Sequence, residues 1–443
     1  MTRFQAFAGA AVGNDCHVGN QSLLLPRQSM GGCRIRLSIP RSSHTTASEH
    51  SVARVLIGYE RGDNLGHYRR LVPVAEALAA KGHQVTLFLR NPYDCKAQIT
   101  KNPLPYIPTP DLVAPNPAER EPKRMGTYSD IMVYCGFGKL ETLFAATLSW
   151  RTLFDHLRPD LVICDHSPVT CFAAYGRIPV VQVGSGFTVP PAQGETFPPF
   201  REKKKAVVDT DHLVSVMNDV QSRLGGPKVP SVTAPLRTTG RLVCTLVGLD
   251  PYKDFREDPV IGLTEGLQAP MPMPRTPALF VYLGIEHRIT PKFLEVLKAS
   301  KLPAEAYIRG MTEETAKKYM RPGLTFYKSP QPIDKMLRKA TMTVHHGGSG
   351  MCLASCSAGR IQLALPIHEE TLLNTRALGR IGVGRMATGK ELEEDGQAIL
   401  NETIADPKRA ERAKIIAKEI KDVGPFRPMD HIIETCQKAL GES

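Results

Sequence analysis

The stretch ARVLIGY, from Ala53 to Tyr59, is an apolar run of β-forming residues. After a glycine-bearing loop comes HYRRLVPVAEALAAKG, apolar at helical spacing and stopped at Gly82, and then QVTLFL, a second β-type run. Strand, helix, strand within Arg54 to Leu89 permits few folds. Strands joined through a helix lie parallel, and a parallel sheet needs helices on both faces. The pattern recurs in PDLVICD, which ends at Asp165, in the short helix PVTCFAAYG, and in IPVVQVG. Between Pro259 and Pro277 the text turns to PVIGLTEGLQAPMPMPRTP, after which ALFVYLG, PKFLEVLKAS, AEAYIRG, LTFYK, IDKMLRKA, TMTVHH, GMCLASCSAG, IQLALP and TLLNTRALGRIG alternate strand with helix again. The chain is therefore α/β, with two Rossmann-like, doubly wound domains facing a cleft. Ligands of such sheets sit beyond the carboxyl ends of the strands. The expected division is an N-terminal extension over 1–52, a first domain over 53–258, a linker over 259–277, a second domain over 278–420 and a C-terminal helix over 421–443 that packs across the domain junction.

A length of 443 residues exceeds one ordinary core and suits two. No apolar run approaches the roughly 18 to 20 residues of a membrane span. The net charge of +12 favours anionic partners and admits peripheral contact with an anionic membrane surface. Aromatics at 6% with one tryptophan, Trp150, argue against a stacking platform for nucleic acid, so REKKK at Arg201 to Lys205 reads as a solvated edge. The ten cysteines form no CxxC and read as reduced thiols of a cytoplasmic protein, neither a disulfide framework nor a zinc site. Residues 1 to about 50 are basic and without periodicity. AFAGAAVG is too short and too weakly apolar for a secretory signal, and disorder or a start codon placed too early is preferred over a transit-type leader.

The stretch TVHHGGSGMCLASCSAG, from Thr343 to Gly359, forms a strand-to-helix turn. Its glycines allow close approach, and the free N–H groups and dipole of a helix start favour a phosphate oxygen, to which His346 adds a donor. A plain βα turn with a capping histidine is the alternative, and the phosphate site is preferred. IHEETLLN follows the next strand and brings Glu369, Glu370 and Asn374 to the same edge, where a carboxylate can read sugar hydroxyls or merely cap a helix. His67 lies after the first strand and Asp165 ends a later strand of the same sheet, so the two can meet as a general base and its carboxylate. Taken alone, a histidine at a helix start is more often a cap or a surface residue. Three motifs are set aside. GYERGDNLGH spaces its glycines wrongly for a dinucleotide site, GRMATGKE ends in Glu391 where a P-loop needs a hydroxyl, and DTD at Asp209 to Asp211 reads as a helix cap.

Together, GHYRRLVPVAEALAAKGHQVT, PDLVICD and HHGGSG followed by ALPIHEETLLN resemble, in family order, the UDP-glycosyltransferases and their bacterial antibiotic-type relatives of the GT-B fold. The resemblance runs from about Arg54 to the C-terminus. It implies an inverting transfer from a UDP- or dTDP-sugar to a hydroxyl of a small lipophilic acceptor, with no metal and no cofactor beyond the sugar nucleotide. By that resemblance His67 is the base and Asp165 its partner. The donor-binding positions are Gly66, Gly284, Gln331, His346, Gly347, Gly348, Ser349, Gly350, Glu370, Thr371 and Asn374. Five positions depart from the family pattern, one of them Ala354, which falls on the usual ribose-binding glutamate and which bacterial relatives often share. Lys328 or Pro330 stands where a tryptophan stacks on the base, Met351 where a hydroxyl supports phosphate, Thr371 where a glutamine reads the sugar, and Ile285 where a serine follows the strand. These departures leave two alternatives to an active enzyme of secondary metabolism: an accessory protein with a degenerate donor site, and a lipid-linked transferase at a membrane face.

Overall fold

The computed structural model describes residues 52–62, 65–101, 103–110, 125–201, 205–264, 266–423 and 426–442. The expectations for the N-terminal extension before Val52, for Cys16 and Cys33, and for Glu202 to Lys204 within REKKK lie outside the described residues.

Two parallel sheets organise the chain. The first holds β1 (Arg54–Tyr59), β2 (Gln84–Leu89), β3 (Tyr106–Pro108), β4 (Leu161–Asp165), β5 (Val180–Gly184) and β6 (Gly240–Val243), in the order β3-β2-β1-β4-β5-β6. The second holds β7 (Leu279–Gly284), β8 (Ala304–Arg309), β9 (Leu324–Tyr327), β10 (Met342–His345), β11 (Ile361–Ala364) and β12 (Gly384–Met386), in the order β12-β11-β10-β7-β8-β9. Both follow one walk: outward from the first strand, then back across it. Each sheet therefore has one point where successive connections diverge, between β1 and β4 and between β7 and β10, and a crevice opens there at the carboxyl ends. Register sets the crevices, since Tyr59 lies opposite Asp165 and Tyr282 opposite His345. The central strands β4, β5, β10 and β11 are buried along their whole length, which explains their nearly unbroken apolar sequences.

The helices cover the faces. The first domain carries α1 (Leu65–Ala80), α2 (Lys96–Lys101), α3 (Tyr128–Met132), α4 (Leu140–Leu157), α5 (Pro168–Ala174) and α6 (Thr210–Arg223). The second carries α7 (Ile289–Ala299), α8 (Glu313–Tyr319), α9 (Ile333–Lys339), α10 (Ser349–Ser357), α11 (Glu369–Arg380), α12 (Gly389–Ala405) and α13 (Pro407–Asp422). Among the described residues no single helix is long and apolar enough to cross a membrane, although α3 with its π-type continuation and α4, bent by 76°, would pass together by length and composition. That pair supplies core: Phe137, Leu143, Trp150 and Phe154 are buried against α5 and α6.

The last helix, α14 (Pro428–Leu440), returns to the first domain, where Ile432 and Cys436 are fully buried with Leu71, Val74, Val181 and Val183. The proline-rich segment before β7 is laid down rather than free. Val260 bridges to Val243, Ile261 is buried with the first sheet, and buried Arg360 donates to the carbonyls of Met271 and Pro272. The eight described cysteines are buried free thiols. Strands β3, β6 and β12 escaped the sequence reading because three or four residues at a sheet edge carry too little periodicity to register. Because Ile432 fills the first core from a distant part of the chain, Ile432→Ala is expected to lower unfolding free energy by about 2–4 kcal/mol, read as a fall in the urea midpoint at unchanged slope.

Candidate active site

At the first crevice the chain leaves β1 through Glu60, whose buried carboxylate accepts the N–H groups of Val169 and Thr170 and the Thr170 hydroxyl, pinning the start of α5. The loop turns at Gly62, φ 101°, and enters α1, whose first turn carries His67. His67 Nδ1 lies 2.6 Å from Asp165 Oδ2 at the end of β4, with the His67 side chain 13% exposed and Asp165 fully buried. Asp165 also accepts from Arg70 of α1 and, at 2.7 Å, from the Thr188 hydroxyl. Burial opposes its charge, but the Arg70 charge and the hydrogen bonds from His67 and Thr188 prevail and hold the carboxyl well below the usual range. An ionised carboxylate only accepts, so the proton between them sits on His67 Nδ1, and in the neutral imidazole the lone pair is the one on Nε2. A Cβ on Gly62 would lie 2.1 Å from that Nε2. Glycine here keeps the nitrogen uncovered.

At the second crevice two imidazoles follow β10. His345 Nδ1 accepts from Gly347 N–H at 3.0 Å, and its Nε2 donates to Gln362 Oε1 at 3.0 Å. His346 Nε2 accepts from Gly284 N–H at 3.0 Å, so its Nδ1 donates to the Leu365 carbonyl at 3.0 Å. Both rings are neutral, and burial pushes each down to about 4. His346, expected to offer a donor to phosphate, instead ties the end of β7 to the end of β11. The turn rises through Gly347, φ 83°, where a Cβ would meet Thr375 Oγ1 at 2.6 Å, and Asn374 donates to the Gly347 carbonyl at 2.9 Å. Helix α10 then begins without a side-chain cap, and space is open at Gly348 and Gly350.

The remaining expected positions divide. Thr371 Oγ1 accepts from Ile367 and His368 N–H and donates to the His368 carbonyl, so it caps α11. Glu370 Oε1 accepts from Ser185 Oγ at 3.0 Å, and Glu369 pairs with Arg201 at 2.7 Å, both across the cleft. Gln331 donates to the Ser329 carbonyl, and Gly66 is exposed with open space beside it. Asp209 caps α6, and Thr388 with Glu391 forms the capping box of α12.

Arg70 joins the two crevices. Its Nη1 is on Asp165 while Nη2 lies 3.4 Å from Ser349 Oγ, the first residue of α10. The sequence reading passed over it. The available signal was an arginine three residues after His67, one helical turn on, within a mostly apolar helix face. Leucines are exchanged across the same junction: Leu373 of α11 packs in the core of the first domain, and Leu249 of the first domain packs with Leu378 and Val383.

Two six-stranded parallel sheets joined in this way, with their crevices bridged, define a protein of the GT-B architecture. The structure of the calicheamicin glycosyltransferase CalG4 superimposes with a TM-score of 0.63 over 87% of this chain and 98% of that one, at 18% identity. The glycosyltransferase VinC, solved with dTDP, gives 0.59 over 88% and 100%, also at 18% identity. In sequence the chain is 30% identical to the elloramycin glycosyltransferase ElmGT of Streptomyces olivaceus over 92 residues, which is 21% of this chain and 23% of that protein. The chain thus matches under a quarter of that curated relative's length. No protein-family model matches the sequence.

The buried imidazoles make stability depend on pH. The folded-state pKa of His345 and of His346 is about 4, below an ordinary histidine near 6.5, so between these values the unfolded chain binds protons that the folded chain refuses. Their contribution is complete above about pH 6.5 and is lost as pH falls toward 4. Unfolding free energy from urea titrations is expected to fall through that window, and His346→Gln to make the fall shallower.

Proposed function

We propose that the chain is an inverting glycosyltransferase that moves a sugar from a nucleotide diphosphate donor to a hydroxyl of a small, lipophilic acceptor. Residues 53–258 hold the acceptor and 278–420 the donor. The observation that carries this reading is the His67–Asp165 pair with Nε2 left open, linked through Arg70 to the uncapped start of α10. The shared architecture with CalG4 and with dTDP-bound VinC supports it.

In the proposed reaction the acceptor O–H gives its proton to His67 Nε2 as its oxygen bonds to the anomeric carbon. The bond from that carbon to the diphosphate oxygen breaks, and its electron pair leaves with the nucleoside diphosphate. Asp165 stabilises the imidazolium that forms. The leaving charge is met by the N–H groups of α10 and by Arg70, whose side chain already reaches Ser349. His346 holds Gly284 in place, and Asn374 braces the glycine turn.

Incubation with a panel of UDP- and dTDP-sugars and small aromatic or polyketide-like alcohols is expected to give glycoside, with His67→Ala lowering the rate about 10²- to 10⁴-fold. Nucleotide-sugar turnover absent in the wild type, or equal in His67→Ala, would count against the enzyme. Absence of nucleotide binding by calorimetry would favour the accessory reading, which the engagement of His346 and the capping role of Thr371 support.

Gly62→Ala tests the same nitrogen from the other side. The added methyl falls on His67 Nε2 at a backbone angle unsuited to alanine. Transfer is expected to drop on the order of 10²-fold while dTDP affinity, which owes nothing to the His67 Nε2 lone pair, stays within a factor of about two.

A further inference from the structure

Behind the proposed base lies an ionic cluster that the transfer step does not use. Arg256 and Arg241 face Asp250 and Asp258, and the Arg256 side chain is 4% exposed against 1% for Asp250. Arg256 spends all five of its N–H donors there. Nε and Nη2 grip Asp250 at 2.7 and 3.1 Å, and Nη1 reaches Asp258 at 3.0 Å. The two remaining donors go to main-chain carbonyls, that of Gly186 from Nη2 at 2.8 Å and that of Val189 from Nη1 at 2.5 Å. Arg241, itself paired with Asp258 at 2.8 Å, donates to the next carbonyl, that of Pro190. The chain passes so close to the cluster that a Cβ on Gly186 would lie 2.5 Å from Asp250 Oδ1.

The residues so held belong to the turn after β5, and Thr188 sits between the two carbonyls that Arg256 grips. Its hydroxyl is the donor on Asp165 Oδ1, at 2.7 Å, whereas Oδ2 takes both His67 and Arg70. Without that hydroxyl the carboxylate is anchored through one oxygen and free to pivot about it, and the other oxygen is left buried and unfilled. Buried ion pairs are a poor source of stability, because apolar side chains of similar volume often pack as well without the desolvation cost. A guanidinium fork offers what such packing lacks, a fixed spacing between two carbonyls.

We propose that Arg256 is a positioning residue: by holding the Gly186 and Val189 carbonyls it sets the Thr188 hydroxyl on Asp165 Oδ1, and so fixes the carboxylate that orients His67. What this does for catalysis rests on the transferase reading, and the positioning itself rests on the hydrogen bonds alone. Lysine keeps the charge, but a point donor on a flexible stem does not hold two carbonyls and two aspartates at once.

The test follows the His67 Nδ1–H proton by NMR in the full chain without nucleotide sugar, the line being identified by its loss in His67→Gln. Thr188→Val is expected to move the line, Arg256→Lys to move it in the same direction, and the double variant to match Thr188→Val alone. Thr188→Ser, which keeps the hydroxyl, is expected to leave it in place. A role confined to stability lowers the urea midpoint of Arg256→Lys and leaves the line where it is, and that result overturns the proposal. A double variant in which the two movements add overturns it as well. Should Arg256→Lys fail to fold, Gly186→Ala presses the turn off Asp250 while keeping both arginines; a moved line supports the positioning, and an unmoved one overturns it. Where sugar transfer is measured, Arg256→Lys and Thr188→Val are each expected to lower kcat about tenfold, with KM for the sugar nucleotide within a factor of about two. A line that moves as expected in a protein that turns over no sugar nucleotide leaves the positioning standing and removes the transferase.

Discussion

The buried carboxylate of Asp165 is the interaction on which the rest of the cleft depends. An ionised group with no exposure is expensive unless its oxygens are filled, and here they are filled by three side chains from two elements: His67 and Arg70 from α1, and Thr188 from the turn after β5. Satisfying one carboxylate therefore fixes the rotation of α1 against β4 and the path of the chain beyond β5. The same requirement sets the tautomer of His67. Because the partner is an anion, the proton stays on Nδ1, and the nitrogen facing Gly62 is the one with a free pair.

Legibility in the sequence followed burial. The central strands were plain because a parallel strand buried on both faces is a continuous apolar run, and His67, Asp165 and the glycine turn were placed because they end or follow those strands. Spacing could locate His346 and Thr371 but could not say which way each spends its hydrogen bonds. His346 accepts a backbone N–H from β7, some sixty residues earlier in the chain, and that pairing exists only once β7 and β10 are neighbours. Arg70 was missed for the related reason that a buried arginine makes sense only when its partners are known, and one partner lies in each domain.

The junction between the domains is held by few groups of different kinds. Ser185 to Glu370 and Arg201 to Glu369 are polar and partly exposed, of the sort worth about 0–1 kcal/mol when solvated. Leu373 and Leu249 each sit in the other domain's core, where burial of a leucine contributes roughly 1.5–3 kcal/mol. The apolar exchange thus dominates the polar clasps, and it lies next to α11, whose first turn carries both glutamates. Helix α14 adds a third tie by covering the first sheet from the far end of the chain.

Charge in this cleft is divided unevenly, and the division bears on how an anion would be held. At the second crevice His345 and His346 are neutral and spent on Gln362 and on backbone groups, so the turn offers dipoles rather than cations. The fixed positive charge that reaches α10 comes instead from the first domain, through Arg70, which already neutralises Asp165. Under the proposed reaction a diphosphate arriving at α10 competes with Asp165 for the same guanidinium. To the extent that it wins, Asp165 turns its whole charge toward His67 and strengthens the base. Donor and base are then coupled through one side chain, and the base is at its strongest when the leaving group is in place.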